Sequence, residues 1–315
     1  MANISQVWPE LERLAGRLGA LRVGVTPLVD EHVDVFEEWL ERGYHASMAW
    51  LPKNLEKRRD PWIRFPWGKS VIVLTVPYSS ERPGSPDSLA PHIARYAQGD
   101  DYHDVIDQML REIETFLASA APGAQTWRYV DTGPFSDRSL AVQAGLGWIG
   151  RNGMLIDPEL GSWIFIGCLV TSLEPDLGRS EVADRCGNCT RCIEACPTDA
   201  ILPGRMIDSN LCLSHATIEL RGSIPPDIAA RLEGNLFGCD ICQEVCPWND
   251  APPPPHPSFE PRLEFRATPI SDLLTMPQER FSTLFRRSAV KRARHAGLRR
   301  NAEALLQNQG LGTRG

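Results

Sequence analysis

The sequence predicts an α+β protein with three parts, and three observations lead to that prediction. Apolar residues recur at helical and strand periods through the first 176 residues. Eight of the nine cysteines lie between residues 186 and 246. After a proline-rich stretch, the chain returns to helical periodicity. We therefore expect an α/β-type domain over residues 1–176, a cysteine-rich domain over 177–250, and a linker with a short helical tail over 251–315.

The composition is that of an ordinary soluble globular protein. The 315 residues are 42% hydrophobic and 23% charged, which is enough for two domains and a large buried core. The longest apolar run, residues 163–170, is far shorter than the roughly 20 residues of a membrane span. The first residues contain neither a basic segment nor a cleavable apolar stretch. We expect a cytoplasmic protein without a membrane partner.

The first part should begin with helices and continue with a central strand. Residues 6–18 and 33–40 carry apolar residues near helical spacing. Residues 70–76 form a continuous, largely β-branched run before a proline, which indicates a buried central strand. Because strands alternate with helices, the pattern favours an α/β-type domain. Further along, the same criteria predict helices at 101–118 and 139–144 and strands at 127–130, 154–156 and 163–170.

The cysteine-rich part carries the most specific motif. Residues 186–197 read C-x2-C-x2-C-x3-C-P, and residues 239–247 form a second cysteine segment that also ends in C-P. In such a run, three thiolates hold one 4Fe-4S cluster and the fourth reaches another. The spacing therefore predicts two 4Fe-4S clusters, a first held by Cys186, Cys189, Cys192 and Cys246, and a second held by Cys196, Cys212, Cys239 and Cys242.

Two other uses of cysteine compete with this interpretation. Paired C-x2-C units also bind structural zinc, but zinc sites rarely combine a triple C-x2-C-x2-C run with C-P endings. Disulfides are typical of secreted proteins, and no secretion signal precedes these cysteines. Because residues 177–250 show little regular apolar pattern, we expect metal ligation to hold this part together.

The last part should be a stiff linker followed by a basic helical tail. Residues 251–257 are dominated by proline, which predicts an extended linker. The formal net charge of −7 argues against a general nucleic-acid coat, yet residues 285–301 contain basic residues and no acidic one. Such a run is either a solvated helix face or a phosphate-binding surface. Helices are predicted at 270–274, 278–285 and 289–306.

Loops after the predicted strand 127–130 are the candidate ligand-binding region. Gly145-x-Gly147-x-x-Gly150 fits the dinucleotide fingerprint in its letters, but it ends a helix instead of following a strand, so we reject a Rossmann site. Asp131 stands at the carboxyl end of the strand, where open α/β sheets bind ligands. Partly buried under a cofactor there, it would have a raised pKa and act as a general acid. The alternative is an aspartate that only caps a turn or helix.

Several separate motifs, in order from about residue 30 to 305, resemble the epoxyqueuosine reductase family. Their combination is far more specific than any one of them. They are Arg95-Tyr-Ala-x-Gly-x-Asp101-Tyr102-His103, Val130-Asp131-Thr-Gly-Pro134, Ser136-Asp-Arg138, Ala144-Gly-Leu-Gly-Trp-Ile-Gly-Arg-Asn152, the two cysteine segments, the stretch from Cys212 to Pro225, and Gly238-Cys-Asp-x-Cys242.

The resemblance implies a cobalamin-dependent oxidoreductase that catalyses the last step of queuosine formation. The family reduces the epoxide of epoxyqueuosine, at the wobble position of tRNA, to the cyclopentene of queuosine. The implied cofactors are cob(II)alamin, bound base-off in the first domain, and two 4Fe-4S clusters. The chain agrees on one point, since the base-on B12 signature D-x-H-x-x-G is absent.

The resemblance also implies an architecture and a set of partners. The first part would be a cobalamin-binding catalytic domain, the second a ferredoxin-like domain, and the tail a shortened HEAT-like helical region. The partners would be the anticodon loop of a tRNA carrying epoxyqueuosine and an external low-potential electron donor such as ferredoxin or flavodoxin. We expect a monomer.

Individual residues take roles from the matching motifs. Asp131 matches the family's proton donor and is also expected to contact the corrinoid. Polar residues around the reacting base are matched by Asp101, His103 and Arg138. Segments like those around the corrinoid contain Arg58, Asn152, Leu155, Ser214 and Asp240.

Two other functions stay open at this point. A corrinoid-dependent reductive dehalogenase shares a B12 domain followed by two clusters, although the chain shows no twin-arginine export signal. A ferredoxin-type electron-transfer protein would use the first part only for docking. The chain also departs from the family pattern twice, with Arg151 where lysine is common and Cys168 where glutamate is common. We expect Cys168 to be a buried strand residue outside both clusters.

Overall fold

The computed structural model describes residues 3–79, 81–178 and 182–312. Within them lie a four-stranded main sheet, two small two-stranded sheets and helices of varied length. The helices and strands up to residue 178 are α1 (Trp8–Arg17), β1 (Arg22–Pro27), α2 (Val33–Glu41), α3 (Leu55–Arg59), β2 (Ser70–Pro77), α4 (Tyr102–Ala120), β3 (Thr126–Tyr129), α5 (Asp137–Gln143), β4 (Trp148–Ile149), β5 (Leu155–Ile156) and β6 (Ile164–Thr171).

The cysteine-rich part and the tail contain mostly short elements. In the described part of the chain, no helix combines the length and the apolar character that crossing a bilayer requires. The tail also contains the 3₁₀ helices Pro257–Phe259, Ile270–Leu274 and Ala289–Ala293. The α-helices and strands are α6 (Arg191–Glu194), β7 (Ile201–Leu202), β8 (Met206–Ile207), α7 (Leu213–Ile218), α8 (Pro226–Ala229), α9 (Ile241–Glu244), α10 (Leu263–Ala267), α11 (Gln278–Leu284) and α12 (Arg294–Gly312).

The main sheet has the strand order β1-β2-β6-β3 and carries helices on both faces. The predicted central strand is confirmed, because β2 is interior and all of its residues are buried. Side chains alternate along β2, so that Ile72 and Leu74 enter one core while Val71 and Val73 enter the other. Residues of α1 and α4 complete the first core, and residues of α5 complete the second.

Every neighbouring pair of strands in the main sheet is antiparallel. The α+β class is confirmed, but the pairing differs from the parallel order typical of α/β domains. Alternation of helices and strands along the chain fixes the layers and leaves the strand direction open, since helices can also connect antiparallel strands. Cys168 lies in β6 opposite Val73 and is fully buried, as expected.

Most predicted elements are confirmed within a few residues. The sequence pattern does not predict β1, because Gly24 and Pro27 weaken the strand signal. At the edge of the sheet a proline without an N–H is tolerated. Gly24 also meets a close neighbour, since a Cβ there would lie 2.5 Å from the carbonyl oxygen of Ala144. The edge strand therefore depends on residues that look unfavourable in isolation.

A further hydrophobic core joins the cysteine-rich part to the tail. Leu213, Ile228 and Phe237 belong to the same buried cluster as Phe265 and Phe285. This corrects the expectation that metal ligation alone holds residues 177–250 together, because their apolar side chains pack against helices that follow much later in the chain. The domain limits at residues 176 and 250 stay a prediction.

The proline-rich linker is attached to the first part of the molecule. Residues 251–256 contain neither helix nor strand, as expected of an extended linker. The His256 N–H donates to the Pro77 carbonyl at 2.9 Å, and Phe259 is 1% exposed in the core formed with α1 and α4. A Cβ on Gly99 would lie 2.4 Å from the Cα of Phe259, so this close contact requires glycine. The tail therefore starts from a fixed point beside the main sheet.

Candidate active site and metal centres

Asp131 lies in a tight turn after β3. Its φ of 59° is in the left-handed region, which costs a non-glycine residue about 1–2 kcal/mol. The Asp131 N–H donates to Oδ2 of Asp137 at 3.1 Å. Gly133 packs so closely on Tyr129 that a Cβ there would lie 2.2 Å from the ring. Neighbouring groups therefore hold Asp131 in its unfavourable conformation.

The start of α4 supplies the partners of the Asp131 carboxylate. The Tyr102 hydroxyl donates to Oδ2 of Asp131 at 2.9 Å, and Nε2 of His103 lies 3.8 Å from the same oxygen. Nδ1 of His103 lies 2.8 Å from Oδ1 of Asp101, which also caps α4 by accepting the His103 N–H. The structure thus brings Asp101, His103 and Asp131 together in one chain of polar contacts.

These contacts set the charges of the site. Desolvation lowers the pKa of His103, but the hydrogen bonds and charges of Asp101 and Asp131 outweigh it and raise the pKa to about 9. Desolvation is also the largest influence on Asp131 and acts to raise its pKa, yet His103 and Tyr102 together with nearby positive charge hold that pKa below its usual value. A raised pKa of Asp131 under a bound cofactor stays a prediction. At neutral pH a proton resides on His103 between two carboxylates.

The Asp131 side chain is desolvated by surrounding protein and still accessible. Desolvation is the largest influence on its pKa, although 69% of the side chain is exposed. Both observations fit a group on the wall of a cleft that is open on one side. Arg138 shares this wall, since its side chain is exposed, its guanidinium donates to the Gly153 carbonyl, and its charge acts on Asp131. The cleft presents a carboxylate, an imidazolium and a guanidinium to a ligand.

Asp137 and Arg58 lie behind the Asp131 turn. Burial, followed by the charge of Asp131, raises the pKa of Asp137 to about 7. Arg58 is 7% exposed, and its guanidinium carbon lies 4.4 Å from the centre of the Phe36 ring. Burial lowers the pKa of Arg58, and its Nε has no hydrogen-bond partner. A buried donor without a partner is expected where a ligand completes the site.

The other residues predicted to contact a corrinoid occupy different environments. Nδ2 of Asn152 donates to the Cys242 carbonyl at 3.3 Å. Asp240 is 2% exposed and accepts a backbone N–H at 2.7 Å, and burial raises its pKa to about 6. Ser214 is half-buried in the first turn of α7. Leu155 is 3% exposed, and its side chain packs in the core under the main sheet, so its backbone is the part left to contact a ligand.

One open cavity corresponds to the predicted first cluster. The indole Nε1 of Trp148 donates to a cysteine sulfur of this group at 3.5 Å, and Arg151 lines the wall while donating to the Gly187 carbonyl at 2.7 Å. Burial and then the charges of the neighbouring cysteines raise the pKa of Cys246. Cys186, Cys189, Cys192 and Cys246 all line this cavity.

The remaining cysteines form a second group that is more strongly desolvated. After burial, the charges of Cys212 and Cys196 raise the pKa of Cys239. Burial and then Cys239 and Cys212 likewise raise the pKa of Cys242, on which Cys192 of the first group also acts. The two groups are therefore neighbours, and the assignment of each cysteine to a cluster stays a prediction. Among the residues described, no three His, Cys, Asp or Glu side chains form a site for a single metal ion.

The tail reaches the Asp131 site, which the sequence analysis did not foresee. The Arg287 carbonyl accepts the Asp101 N–H at 2.9 Å, and Nε of Arg287 lies 3.1 Å from Asp104. A hydrogen bond from Arg292 to Glu219 is the main cause of the raised pKa of Arg292, to which the charge of Asp131 adds. The signal in the sequence is the basic run 285–301, which local pattern alone cannot connect with a residue so far upstream.

Two family models match the chain. A 4Fe-4S double cluster binding domain matches residues 185–249, which include both cysteine segments. The prediction of a 4Fe-4S-binding part is thus confirmed. A model described as epoxyqueuosine reductase QueG matches residues 58–132, which include Asp101, His103 and Asp131.

Relatives match over nearly the whole chain. A curated epoxyqueuosine reductase of Cyclobacterium marinum is 36% identical over 304 residues, covering 96% of this chain and 97% of the relative. A crystal structure of epoxyqueuosine reductase with an epoxyqueuosine-modified tRNA-Tyr stem loop has a TM-score of 0.86 at 29% identity, covering 97% of this chain and 82% of that one. The Bacillus subtilis enzyme with its catalytic aspartate loop swung out of the active site has a TM-score of 0.85 at 28% identity and the same coverage. Because the likeness extends over almost the full length, this chain belongs to the epoxyqueuosine reductase family of oxidoreductases.

Proposed function

We propose that this protein reduces the epoxide of epoxyqueuosine, in the anticodon loop of a tRNA, to the cyclopentene of queuosine. The reaction takes up two electrons and two protons and releases the epoxide oxygen as water. One observation carries the proposal, the proton-bearing His103 that joins Asp101 and Asp131 on the wall of an accessible cleft. Family membership supports it, as does the relative whose structure contains an epoxyqueuosine-modified stem loop.

Asp131 is the residue that we assign to protonate the departing oxygen. In the open cleft His103 and Tyr102 hold the pKa of Asp131 low, while His103 stores a proton up to about pH 9. A ligand that displaces water from Asp131 strengthens the desolvation that already acts to raise its pKa. Substrate binding therefore moves the proton from His103 toward Asp131, where the leaving oxygen needs it. Arg138 adds positive charge beside the developing oxyanion.

Cobalamin fits the part of the cleft next to Asp131. The fit rests on the Nε of Arg58, a buried donor that lacks a protein partner. The hydrogen bond from the Asn152 amide to the Cys242 carbonyl supports a corrinoid position beside the second cysteine group. When bound, the corrinoid supplies a cobalt centre that is strongly nucleophilic in its reduced state. The residues that would surround it are Arg58, Asp131, Asn152, Ser214, Asp240 and the backbone at Leu155.

The cysteine groups hold two 4Fe-4S clusters, which supply electrons at low potential. The first group borders an open cavity, whereas desolvation strongly affects the second. We infer that an external low-potential donor, such as ferredoxin or flavodoxin, approaches the first group. We further propose that the protein is a cytoplasmic monomer and that its domains meet at about residues 176 and 250.

Replacing Asp131 with asparagine tests the acid role. The amide preserves the shape of the side chain and can accept from Tyr102, but it has no acidic proton to give. The enzyme is reconstituted anaerobically with cobalamin and about eight irons, then assayed on tRNA that carries epoxyqueuosine. We expect Asp131→Asn to keep both cofactors and to lose at least roughly 100-fold in turnover, the lower range for a general acid.

Asp227→Asn is the matched control, since Asp227 is an exposed carboxylate in the first turn of α8. This variant should turn over normally. Near-normal turnover by Asp131→Asn would remove the acid role and leave the overall reaction standing. Failure of the fully loaded wild-type enzyme to convert epoxyqueuosine would contradict the function itself.

A further inference from the structure

Trp50 and Arg292 form an exposed aromatic and cationic pair. Trp50 follows α2 in a loop and keeps 42% of its surface exposed. The guanidinium carbon of Arg292 lies 4.9 Å from the centre of the Trp50 ring. Nε of Arg292 donates to both oxygens of Glu219, at 2.8 and 3.1 Å, so the cation is held in place. Tryptophan side chains are highly buried on average, so an exposed indole held against an anchored arginine is unusual on a protein surface.

Two separate segments fix this pair. Oγ of Ser47 lies 2.9 Å from Nε2 of His215 in α7, which attaches the Trp50 loop to the cysteine-rich part. Arg292 belongs to the 3₁₀ helix Ala289–Ala293, whose Val290 is fully buried in the core shared with α7. Both segments are therefore anchored to α7, and little ordering remains to be done when a ligand binds.

The surroundings of the pair are positively charged in a protein of net charge −7. Glu219 contacts both Arg292 and Arg221, and the positive charges of Arg294 and Arg292 act on Arg221. Lys291 and Arg294 flank Arg292 and are exposed. Glu219 thus pairs with two arginines, while the exposed Lys291 and Arg294 add further positive charge beside Trp50. A polyanion is the partner that fits this surface.

The pair of Trp50 and Arg292 is also close to the candidate reaction site. Asp131 is near enough for its charge to act on Arg292. In addition, the backbone of Arg287 bonds to Asp101, so the segment that carries Arg292 forms part of the wall around the Asp101–His103–Asp131 chain. A ligand whose reacting group lies at Asp131 would bring its adjacent groups to this surface.

We propose that Trp50 and Arg292 form a stacking platform for an unpaired nucleobase adjacent to the reacting one, while Lys291 and Arg294 bind the neighbouring backbone phosphates. The inference rests on the proposed function, because it places the anticodon loop around Asp131. Bases outside a helix stack on aromatic rings and on arginine planes, and such stacking tolerates any base identity. The platform therefore orients the loop without reading its sequence.

Fluorescence of 2-aminopurine in a tRNA stem loop tests the platform without catalysis. The probe replaces a nucleotide next to the wobble position, and the holoenzyme is titrated anaerobically. We expect wild-type protein to quench the probe, because stacking on an indole quenches it. Trp50→Ala should abolish most of the quenching and weaken binding about tenfold. Trp50→Phe should restore binding. Arg292→Lys keeps the charge but removes the planar guanidinium, so it should weaken binding while the remaining indole still quenches the bound probe.

Trp62→Ala is the matched control, since Trp62 is 48% exposed and lies in a separate 3₁₀ helix, Pro61–Ile63. It should quench and bind like the wild type. The salt dependence of binding tests the proposed phosphate contacts. The double variant with Lys291→Gln and Arg294→Gln should reduce the slope of the logarithm of the binding constant against the logarithm of the salt concentration by about 1.4, at about 0.7 per phosphate contact. Arg299→Gln should leave the slope unchanged, because Arg299 pairs with Glu303.

The possible outcomes distinguish the stacking platform from the proposed function. Unchanged quenching and affinity in Trp50→Ala overturns the platform, even when wild-type protein binds and converts its substrate. An unchanged salt slope in the double variant overturns the phosphate contacts. A stem loop that does not bind wild-type holoenzyme at all contradicts the platform together with the proposed function.

Discussion

His103 is held between two carboxylates, so its charge is part of the folded structure. Its Nδ1 lies 2.8 Å from Asp101, and its Nε2 lies 3.8 Å from Asp131. Burial opposes the charge, but the two carboxylates raise the pKa from 6.5 to about 9. Folding therefore favours the protonated ring. This contribution to stability is fully present below about pH 6.5 and is lost as the pH rises through about 9.

A comparison with His103→Gln makes this pH dependence measurable. We expect the wild-type protein to exceed His103→Gln in unfolding free energy by a margin that is largest below about pH 6.5 and vanishes above about pH 9. Urea denaturation at a series of pH values gives the margin. Asp101→Asn is the informative control, because removal of the nearer carboxylate should shift the loss of the margin to lower pH. A margin that is independent of pH would contradict the ionic role of His103.

The sequence leads to these residues but not to their charges. Asp101 and His103 stand in a motif that also has the pattern of a helix N-cap, and Asp131 follows a predicted strand. The contact between Tyr102 and Asp131 spans 29 positions and depends on where β3 ends relative to the start of α4. The expectation of a raised pKa for Asp131 considered only burial under a cofactor, and it did not include the hydrogen bonds from the start of α4 that act to lower that pKa.

Among the helices, α12 is tied to the cysteine-rich part by one buried side chain. Asn301 is fully buried, and its Nδ2 donates to the carbonyls of Thr217 and Leu236, both at 2.8 Å. The Thr217 hydroxyl in turn accepts the Gly238 N–H at 3.0 Å, immediately before Cys239. The tail helix therefore supports the backbone that carries Cys239, a proposed ligand of the second cluster.

Truncation of Asn301 should destabilise the protein strongly. Asn301→Ala leaves two buried carbonyls without a donor, and each unsatisfied group costs about 1–3 kcal/mol. We expect the unfolding free energy to fall by about 2–5 kcal/mol in anaerobic chemical denaturation. Gln307→Ala, an exposed change on the same helix, should stay within about 0.5 kcal/mol of wild type. Equal stability of the two variants would show that this bridge is unimportant.

Helices are easier to derive from this sequence than strand directions or helix breaks. The periods that predict α1, α2 and α4 are local, whereas the antiparallel order of the main sheet depends on long connections. The predicted helix at 289–306 is in fact two elements, the 3₁₀ helix Ala289–Ala293 and α12. The break occurs at Arg294, whose φ of 63° and ψ of 164° are not helical. Because arginine is a good helix former, the local sequence does not mark the break.

At the scale of the molecule, the hydrophobic cores cross the divisions that composition suggests. Phe259, which follows the linker, completes the core of α1 and α4. Leu89 and Ile93, from the first part, belong to the core that joins α7 to the tail. Composition identifies three parts of the chain, but it cannot reveal contacts between segments that are so far apart in sequence. The parts therefore support one another in the folded protein.

The two cysteine groups also cross over along the chain. Cys246 shares a cavity with Cys189, although its sequence neighbours Cys239 and Cys242 belong to the other group. Each cluster would therefore be held from both ends of the cysteine-rich part. Grouping by sequence proximity would instead place Cys246 with Cys239 and Cys242.

Double substitutions distinguish these two groupings. If Cys189 and Cys246 serve one cluster, Cys189→Ala with Cys246→Ala loses only that cluster and retains about four irons, as Cys189→Ala alone does. Cys189→Ala with Cys239→Ala should lose both clusters, whereas Cys168→Ala should keep about eight irons because Cys168 is buried in β6. Iron analysis and electron paramagnetic resonance after anaerobic reconstitution provide the count. Loss of both clusters from the Cys189 and Cys246 double variant would contradict the crossover. If both residues bind one cluster, the other cluster keeps all four of its ligands in this variant.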